Sequence, residues 1–253
     1  MSSELLGVVH RAFAGSMKTM VRYCGGTVEE QDGILMYATP SPSAFPWNGA
    51  VRTTPGVPTD RIVERASSYF GRLGHAYSLV AMTGLDDDLI ETLGPGEISP
   101  EMVIDSAPNR VELPIGARIG RVVSEESRDA FIAVVGEAFE TLGEARETWA
   151  LCYPTVESLS NPDSVATVAY EDDWPAAAGM YYRSGDVIEV LHVGTHSSFR
   201  RRGYGRAVTT ALTIHGFEQG ARISSLQAEP MGYKTYERIG YRTVADFHVY
   251  TNH

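Results

Sequence analysis

The densest chemistry in this chain lies in seven consecutive residues, Arg200-Arg201-Arg202-Gly203-Tyr204-Gly205-Arg206. The glycines let the backbone approach a ligand closely, and the arginines supply charge-assisted hydrogen bonds to an anion. An apolar run, Val187–Thr195, precedes them, and Ala207, Val208, Ala211 and Leu212 follow at helical spacing. The turn is therefore expected at a helix N-terminus, where free N–H groups and the positive end of the helix dipole converge. That arrangement suits a pyrophosphate. It is not the dinucleotide fingerprint, whose third glycine would fall at Val208, and it is not a P-loop, because no Gly-Lys-Ser/Thr follows. Alone, the spacing from Arg200 to Gly205 fits a basic helix start on the surface equally well.

The apolar run carries a second group of candidates. Strand alternation puts Glu189, Leu191, Val193 and Thr195 on one face. A carboxylate in so apolar a strand needs a partner or a task, unless it sits on an edge facing water. His192 and His196 are rival bases. Four residues apart on a strand, they stand roughly 13 Å from each other, too far to share a metal. No Cys/His spacing suggests a zinc site, so no metal is expected. Cys24 and Cys152 read as two buried thiols of a reducing, cytoplasmic compartment.

Composition narrows the function classes. The 253 residues are 43% hydrophobic with a net charge of −11, and both halves of the chain are acidic. Nucleic acid is disfavoured as a partner because it requires a basic face, whereas an acidic body attracts cationic amines. No apolar run is long enough to cross a membrane, and the N-terminus, with Glu4 and no long apolar core, is not read as a signal peptide.

The elements that must position these residues follow from periodicity. Ser3–Tyr23 is expected to be a helix, Thr27–Pro40 a hairpin turning at Asp32-Gly33, and Ala50–Thr53 a strand. A helix capped by Thr59 or Asp60 leads to a strand at Tyr77–Met82, a short helix at Asp86–Leu93 and a strand at Met102–Ile104. Trp47 lies in a proline-rich loop and is expected to pack into the core. Ala117–Val123 opens a second set: a helix capped by Ser124, a second helix or turn over 142–153, strands at Ser164–Glu171 and Ala176–Arg183, then the Val187–Thr195 strand. A strand at Ile223–Ala228, a helix ending at Gly240 and a final strand at Tyr241–Tyr250 complete it.

The order of the Val187–Thr195 strand, the arginine–glycine turn, the Ser224–Ala228 strand and Met231–Tyr241 resembles the GNAT superfamily of acyl-CoA-dependent N-acetyltransferases. Tyr236-Glu237-Arg238-Ile239-Gly240-Tyr241 matches a family segment that usually ends in Phe. The resemblance covers roughly Ala117 to the C-terminus. It implies an α/β fold with a mixed, largely antiparallel sheet flanked by helices, and acetyl-CoA as co-substrate. Arg200, Arg201, Arg202, Gly203, Tyr204, Gly205 and Arg206 would hold the pyrophosphate, mainly through N–H groups. Val193, Gly194 and Thr195 would lie beside the pantetheine arm as an added strand. Tyr236 would protonate the departing thiolate, and Glu189 stands where the histone-acetylating branch of the family has its catalytic glutamate. One departure is Glu229, followed by Pro230, where many members have a cofactor-binding Asn.

The first half repeats the order strand, helix, strand, helix, strand, which reads as a diverged duplication with two GNAT-like halves in tandem, 1–114 and 115–253. Its counterpart of the glycine turn, Thr53–Pro58, contains prolines that remove N–H donors, so this half is expected not to bind coenzyme A. The expected activity is acetyl transfer to a primary amine of a small molecule or peptide, by a monomer or homodimer. A non-catalytic acyl-CoA sensor is the alternative.

Overall fold

The computed structural model describes residues 3–140, 143 and 145–252; Leu142, where a helix or turn is expected to begin, lies outside them. Two compact units are present, and they do not follow the expected division at 114/115. The first comprises Met1–Met102, Gln227–Pro230 and Thr243–His253; the second comprises Val103–Leu226 and Met231–Arg242. The C-terminal strand therefore belongs with the N-terminal hundred residues.

The first unit contains α1 (Ser3–Cys24), β1 (Thr27–Gln31), β2 (Ile34–Ala38), β3 (Asn48–Arg52), α2 (Thr59–Leu73), β4 (Tyr77–Met82), α3 (Asp87–Leu93) and most of β5 (Glu97–Ile104). Its strands β2, β3 and β4 are buried at every position, the pattern of a sheet covered on both faces. On one face, Ile62, Ala66, Tyr69 and Phe70 of α2 recur at helical spacing and pack on Met36, Ala50 and Leu79. Trp47 is fully buried, as expected. The start of α2 departs from expectation. Pro58 occupies the N-cap position without a side-chain hydrogen bond, and Thr59 and Asp60 fall inside the helix. Proline suits that entry because its missing N–H would have no helical partner there.

β3 pairs with β4 in parallel through Gly49, Ala50 and Val51, with α2 as the crossover. The buried Arg52, at the end of β3, is locked in an ionic cluster that joins the buried Asp86 to the exposed Asp88. Its guanidinium makes two parallel bonds of 3.0 and 3.1 Å to Asp88, and its Nε lies 3.3 Å from Asp86. His10 of α1 approaches Asp86 to 3.6 Å. Burial lowers the pKa of His10 and raises that of Asp86.

The second unit contains β6 (Ala117–Arg121), α4 (Glu125–Glu140), α5 (Arg146–Cys152), α6 (Val156–Leu159), β7 (Ser160–Asn161), β8 (Ser164–Glu171), β9 (Trp174–Ser184), β10 (Val187–Thr195), α7 (Tyr204–Glu218), β11 (Ile223–Gln227) and α8 (Tyr233–Ile239). Its strand order is β11-β10-β9-β8-β6, with β7 beside β8. Ser124 caps α4 as expected: the Ser127 N–H donates to its Oγ over 3.3 Å. Helices cover both faces, and small residues set how closely. A Cβ on Gly194 would come within 2.8 Å of Ala138 in α4, and one on Gly216 of α7 within 2.2 Å of Ile188. The last strand, β12 (Arg242–Asn252), runs from Thr243 onward in the first unit. There it pairs with β4 through Phe247–Asn252 and lies between β4 and β5.

Both units thus contain a parallel strand pair joined by a helix, β3-α2-β4 and β10-α7-β11, on a mixed sheet. This agrees with the expected α/β class and its repeated halves.

Candidate active site

β10 and β11 pair in parallel over only three positions, Val187↔Ile223, Ile188↔Ser224 and Glu189↔Ser225. From Val190 to Thr195 the strand continues without a β11 partner, so the two strands form a fork. An unsatisfied strand edge is a template for an added strand. Val193, Gly194 and Thr195 lie on the unpaired prong, and Glu189 stands at its root.

A bulge then changes which residues share a face. Against β9, Leu191 pairs with Met180 and Gly194 with Ala178, so β10 carries one extra residue between them. His192 takes it up in the left-handed region at φ 54°. The expected single face of Glu189, Leu191, Val193 and Thr195 is therefore wrong. Glu189 and Leu191 point to the α4 side together with their partners Tyr182 and Met180. Val193 and Thr195 point to the α7 side; a Cβ on Gly179 would touch both Val193 and Val208 of α7, and one on Gly205 would lie 3.1 Å from Thr195 Oγ1. An inserted residue re-aims the side chains beyond it, which strict alternation does not anticipate.

Glu189 is 1% exposed, so it is not an edge carboxylate facing water. His192 is held among Trp149, Tyr153 and Phe139, with ring centroids 4.8, 5.8 and 6.5 Å away. Burial there lowers its pKa to about 3, which makes it a poor proton acceptor at neutral pH. His196 precedes a short helical turn, and its Nδ1 accepts from the Ser198 N–H over 3.3 Å. That local bond gives it a structural task.

The His192 shift has a measurable consequence. Above about pH 6.5 the residue is neutral in both folded and unfolded chains. Between pH 6.5 and about 3 only the unfolded chain takes up the proton, so its contribution to stability is lost as the pH falls, by up to about 1.4 kcal/mol per pH unit. His192→Asn, which tolerates a left-handed backbone, is expected to remove this component when denaturant unfolding is followed across that range. An unchanged slope would assign the acid sensitivity to other groups.

The glycine turn ends the β10 prong. Arg201 and Gly203 both have positive φ, 63° and 89°, and α7 begins at Tyr204 with its first bond running from the Ala207 N–H to the Gly203 carbonyl. Among the described residues, no backbone acceptor takes the N–H groups of Arg201 to Arg206. Successive unpaired N–H groups at the start of a 15-residue helix form an anion cradle.

The arginines divide their tasks. Arg202 is bound to Glu171 at the end of β8, with its Nη2 2.7 and 2.5 Å from the two carboxylate oxygens, and it lies over the rings of Phe199 and Tyr204. The buried Tyr204 hydroxyl donates to the same carboxylate. Hydrogen bonds from Tyr204 and Arg202 hold the Glu171 carboxyl below its usual range, and burial together with Glu171 pushes Tyr204 up to about 12. The Arg202 and Tyr204 side chains thus brace the turn, leaving only their N–H groups for a ligand. Arg200 Nε donates to the Thr195 carbonyl. Arg201 and Arg206 are exposed and form no ion pair with any described residue. Glu171 is a residue that sequence reasoning misses: no local pattern shows that the β8–β9 register brings it to the turn.

α8 follows β11, the second prong. The half-buried Tyr236 lies on this helix with its ring against Gly232, where a Cβ would come within 2.7 Å of it. Its ring meets Tyr241 edge-on at 6.2 Å. Tyr241, in the place usual for Phe, is buried. Its hydroxyl bonds Thr213 at 2.7 Å and Ser224 at 2.6 Å, which ties α7 to β11 and accounts for the polar substitution. Glu229 is exposed. Among the described residues no group of three or more His, Cys, Asp or Glu is placed to hold a metal, and no helix is long and apolar enough to cross a membrane.

Comparison with known proteins places this geometry. The sequence matches none of the curated proteins. Among solved structures, a GCN5-related N-acetyltransferase from Kribbella flavida is similar at a TM-score of 0.73 and 21% identity, covering 94% of this chain and 95% of that one. One from Sphaerobacter thermophilus has a TM-score of 0.63 at 16% identity, covering 87% and 76%. A tandem GNAT protein from the clavulanic acid biosynthesis pathway has a TM-score of 0.61 at 12% identity, covering 94% and 86%. These likenesses establish the fold, and the expected tandem halves are consistent with the last of them. The sequence itself matches the acetyltransferase (GNAT) family over residues 123–241, which contain the fork, the glycine turn and Tyr236. Residues 123–241 are thus a GNAT-family acetyltransferase domain.

Proposed function

We propose that this protein is a cytoplasmic, acetyl-CoA-dependent N-acetyltransferase that moves the acetyl group directly to a primary amine of a small molecule or peptide. The observation that carries this reading is the fork of β10 and β11 leading into a turn of unpaired N–H groups. The fork suits an extended pantetheine arm, and the turn suits the pyrophosphate, at N–H groups of Arg201 to Arg206.

In the reaction, the neutral amine attacks the thioester carbonyl carbon. The new N–C bond places negative charge on the carbonyl oxygen, which an N–H of the unpaired β10 prong stabilises. The surplus proton of the amine leaves towards Glu189 at the root of the fork. The C–S bond then breaks with its electron pair on sulfur, and Tyr236 donates its proton to the thiolate. Direct transfer fits the burial of both cysteines, neither of which is in a disulfide.

In this reading the first unit binds no coenzyme A. β3 has only five residues, and Gly49, Ala50 and Val51 pair with β4, so no long unpaired prong like that of β10 remains. The N–H groups of Thr53 and Thr54 are already used by the Gly33 carbonyl at 2.8 and 3.3 Å. Arg52 is committed to Asp86 and Asp88.

Release of free coenzyme A thiol from acetyl-CoA, measured against a panel of primary amines, tests the proposal. Acetyl-CoA binding with amine-stimulated thiol release is expected. Tight binding without turnover on any amine would point to the acyl-CoA sensor, and absence of binding would refute the reading altogether.

A further inference from the structure

Of the three tryptophans, Trp47 and Trp149 are buried, whereas Trp174 is 71% exposed. Burying an indole is strongly favourable, so an exposed one beside a ligand site invites explanation. Trp174 begins β9 after the two-residue turn Asp172-Asp173, both with positive φ. It pairs directly with Glu171, and directly opposed residues of antiparallel strands project to the same face, about 5 Å apart. Glu171 projects to the α7 side, where its carboxylate holds Arg202 and the Tyr204 hydroxyl. The Trp174 indole is therefore on the same face of the sheet as the glycine turn, one cross-strand neighbour from the residue that braces that turn.

We propose that Trp174 is the nucleobase-stacking residue of the cofactor site, taking the adenine of a coenzyme A whose pyrophosphate lies on the Arg201–Arg206 N–H groups. This inference rests on the reading of that turn given above. A large flat indole left open to solvent is the side chain that a purine stacks on, and the adenosine end of coenzyme A lies a few bonds beyond its pyrophosphate. The brace formed by Glu171, Arg202 and Tyr204 fixes the spacing between hairpin and turn, so the base and the phosphates are received by one rigid piece. Beside the indole, Asp173 is paired with Arg118 at 2.9 Å.

Calorimetric titration of the full chain with coenzyme A, adenosine 3′,5′-bisphosphate and phosphopantetheine tests this. Trp174→Ala is expected to weaken the first two by about tenfold or more, the scale of a lost base–aromatic stack, and to leave phosphopantetheine unchanged. Trp174→Phe is expected to restore most of the loss. In the wild type, coenzyme A is expected to quench the emission of the exposed indole, with no such quenching in Trp174→Phe. Coenzyme A binding equal in wild type and Trp174→Ala would overturn the inference alone. Failure of the wild type to bind coenzyme A would overturn the reading of the turn, and this inference with it. Because Trp174 is largely exposed, its replacement leaves the core intact.

Discussion

Tyr236→Phe is expected to lower turnover by about 10²–10⁴-fold, the range for losing a general acid, while acetyl-CoA affinity changes little. The ring lies against Gly232 and Tyr241, and phenylalanine keeps both contacts. The substitution therefore removes the hydroxyl and its proton while keeping this ring packing. The departing thiolate must then find a proton in water, and the penalty falls on kcat. Steady-state kinetics together with a direct binding measurement separate the two effects. Full turnover in the variant would remove Tyr236 from the chemistry and leave it as an aromatic packing residue.

Ending the chain at Arg242 is expected to abolish cooperative folding of the first unit. β12 is an interior strand there, lying between β4 and β5 and paired with β4 at six positions from Phe247 to Asn252. Its removal exposes the edges of both neighbours, and an uncovered apolar strand edge is an aggregation template. It also removes Phe247, whose ring packs edge-on against Phe13 of α1 at 5.0 Å; deleting a buried phenylalanine side chain alone costs about 3–5 kcal/mol, a large share of a domain's roughly 5–15 kcal/mol. Hydrogen exchange should show lost protection in β2, β3 and β4, whose residues are wholly buried in the intact chain. Native-like protection in the truncated chain would mean that β12 is dispensable.

The local features of the site are legible in the sequence. The strand at Val187–Thr195, the glycine turn and the α8 segment around Tyr236 are written in short-range patterns, and the structure has each of them at or within two residues of the expected bounds. What is hidden depends on register. The extra residue at His192 sends Val193 and Thr195 to the opposite face from Glu189, and no alternation pattern reports a bulge. Arg202 reads as one more phosphate-binding cation, but the β8–β9 hairpin brings Glu171 to it from 31 residues away. Pro58 displaces Thr59 and Asp60 from the cap of α2 because the residue that fits the entry geometry need not be the best hydrogen-bond acceptor. The division at 114/115 assumes that neighbours in sequence fold together, and Thr243–His253 does not.

That last segment also sets an order of events in the cell. A ribosome adds about 5–20 residues per second, so on the order of ten to thirty seconds separate the synthesis of Met102 from that of Thr243. For that interval residues 3–102 lack the interior strand β12, and the β4 edge stays open. The strands β1 to β4 are thus made well before the strand that covers the β4 edge, and the first unit is closed only once Thr243–Asn252 has been made.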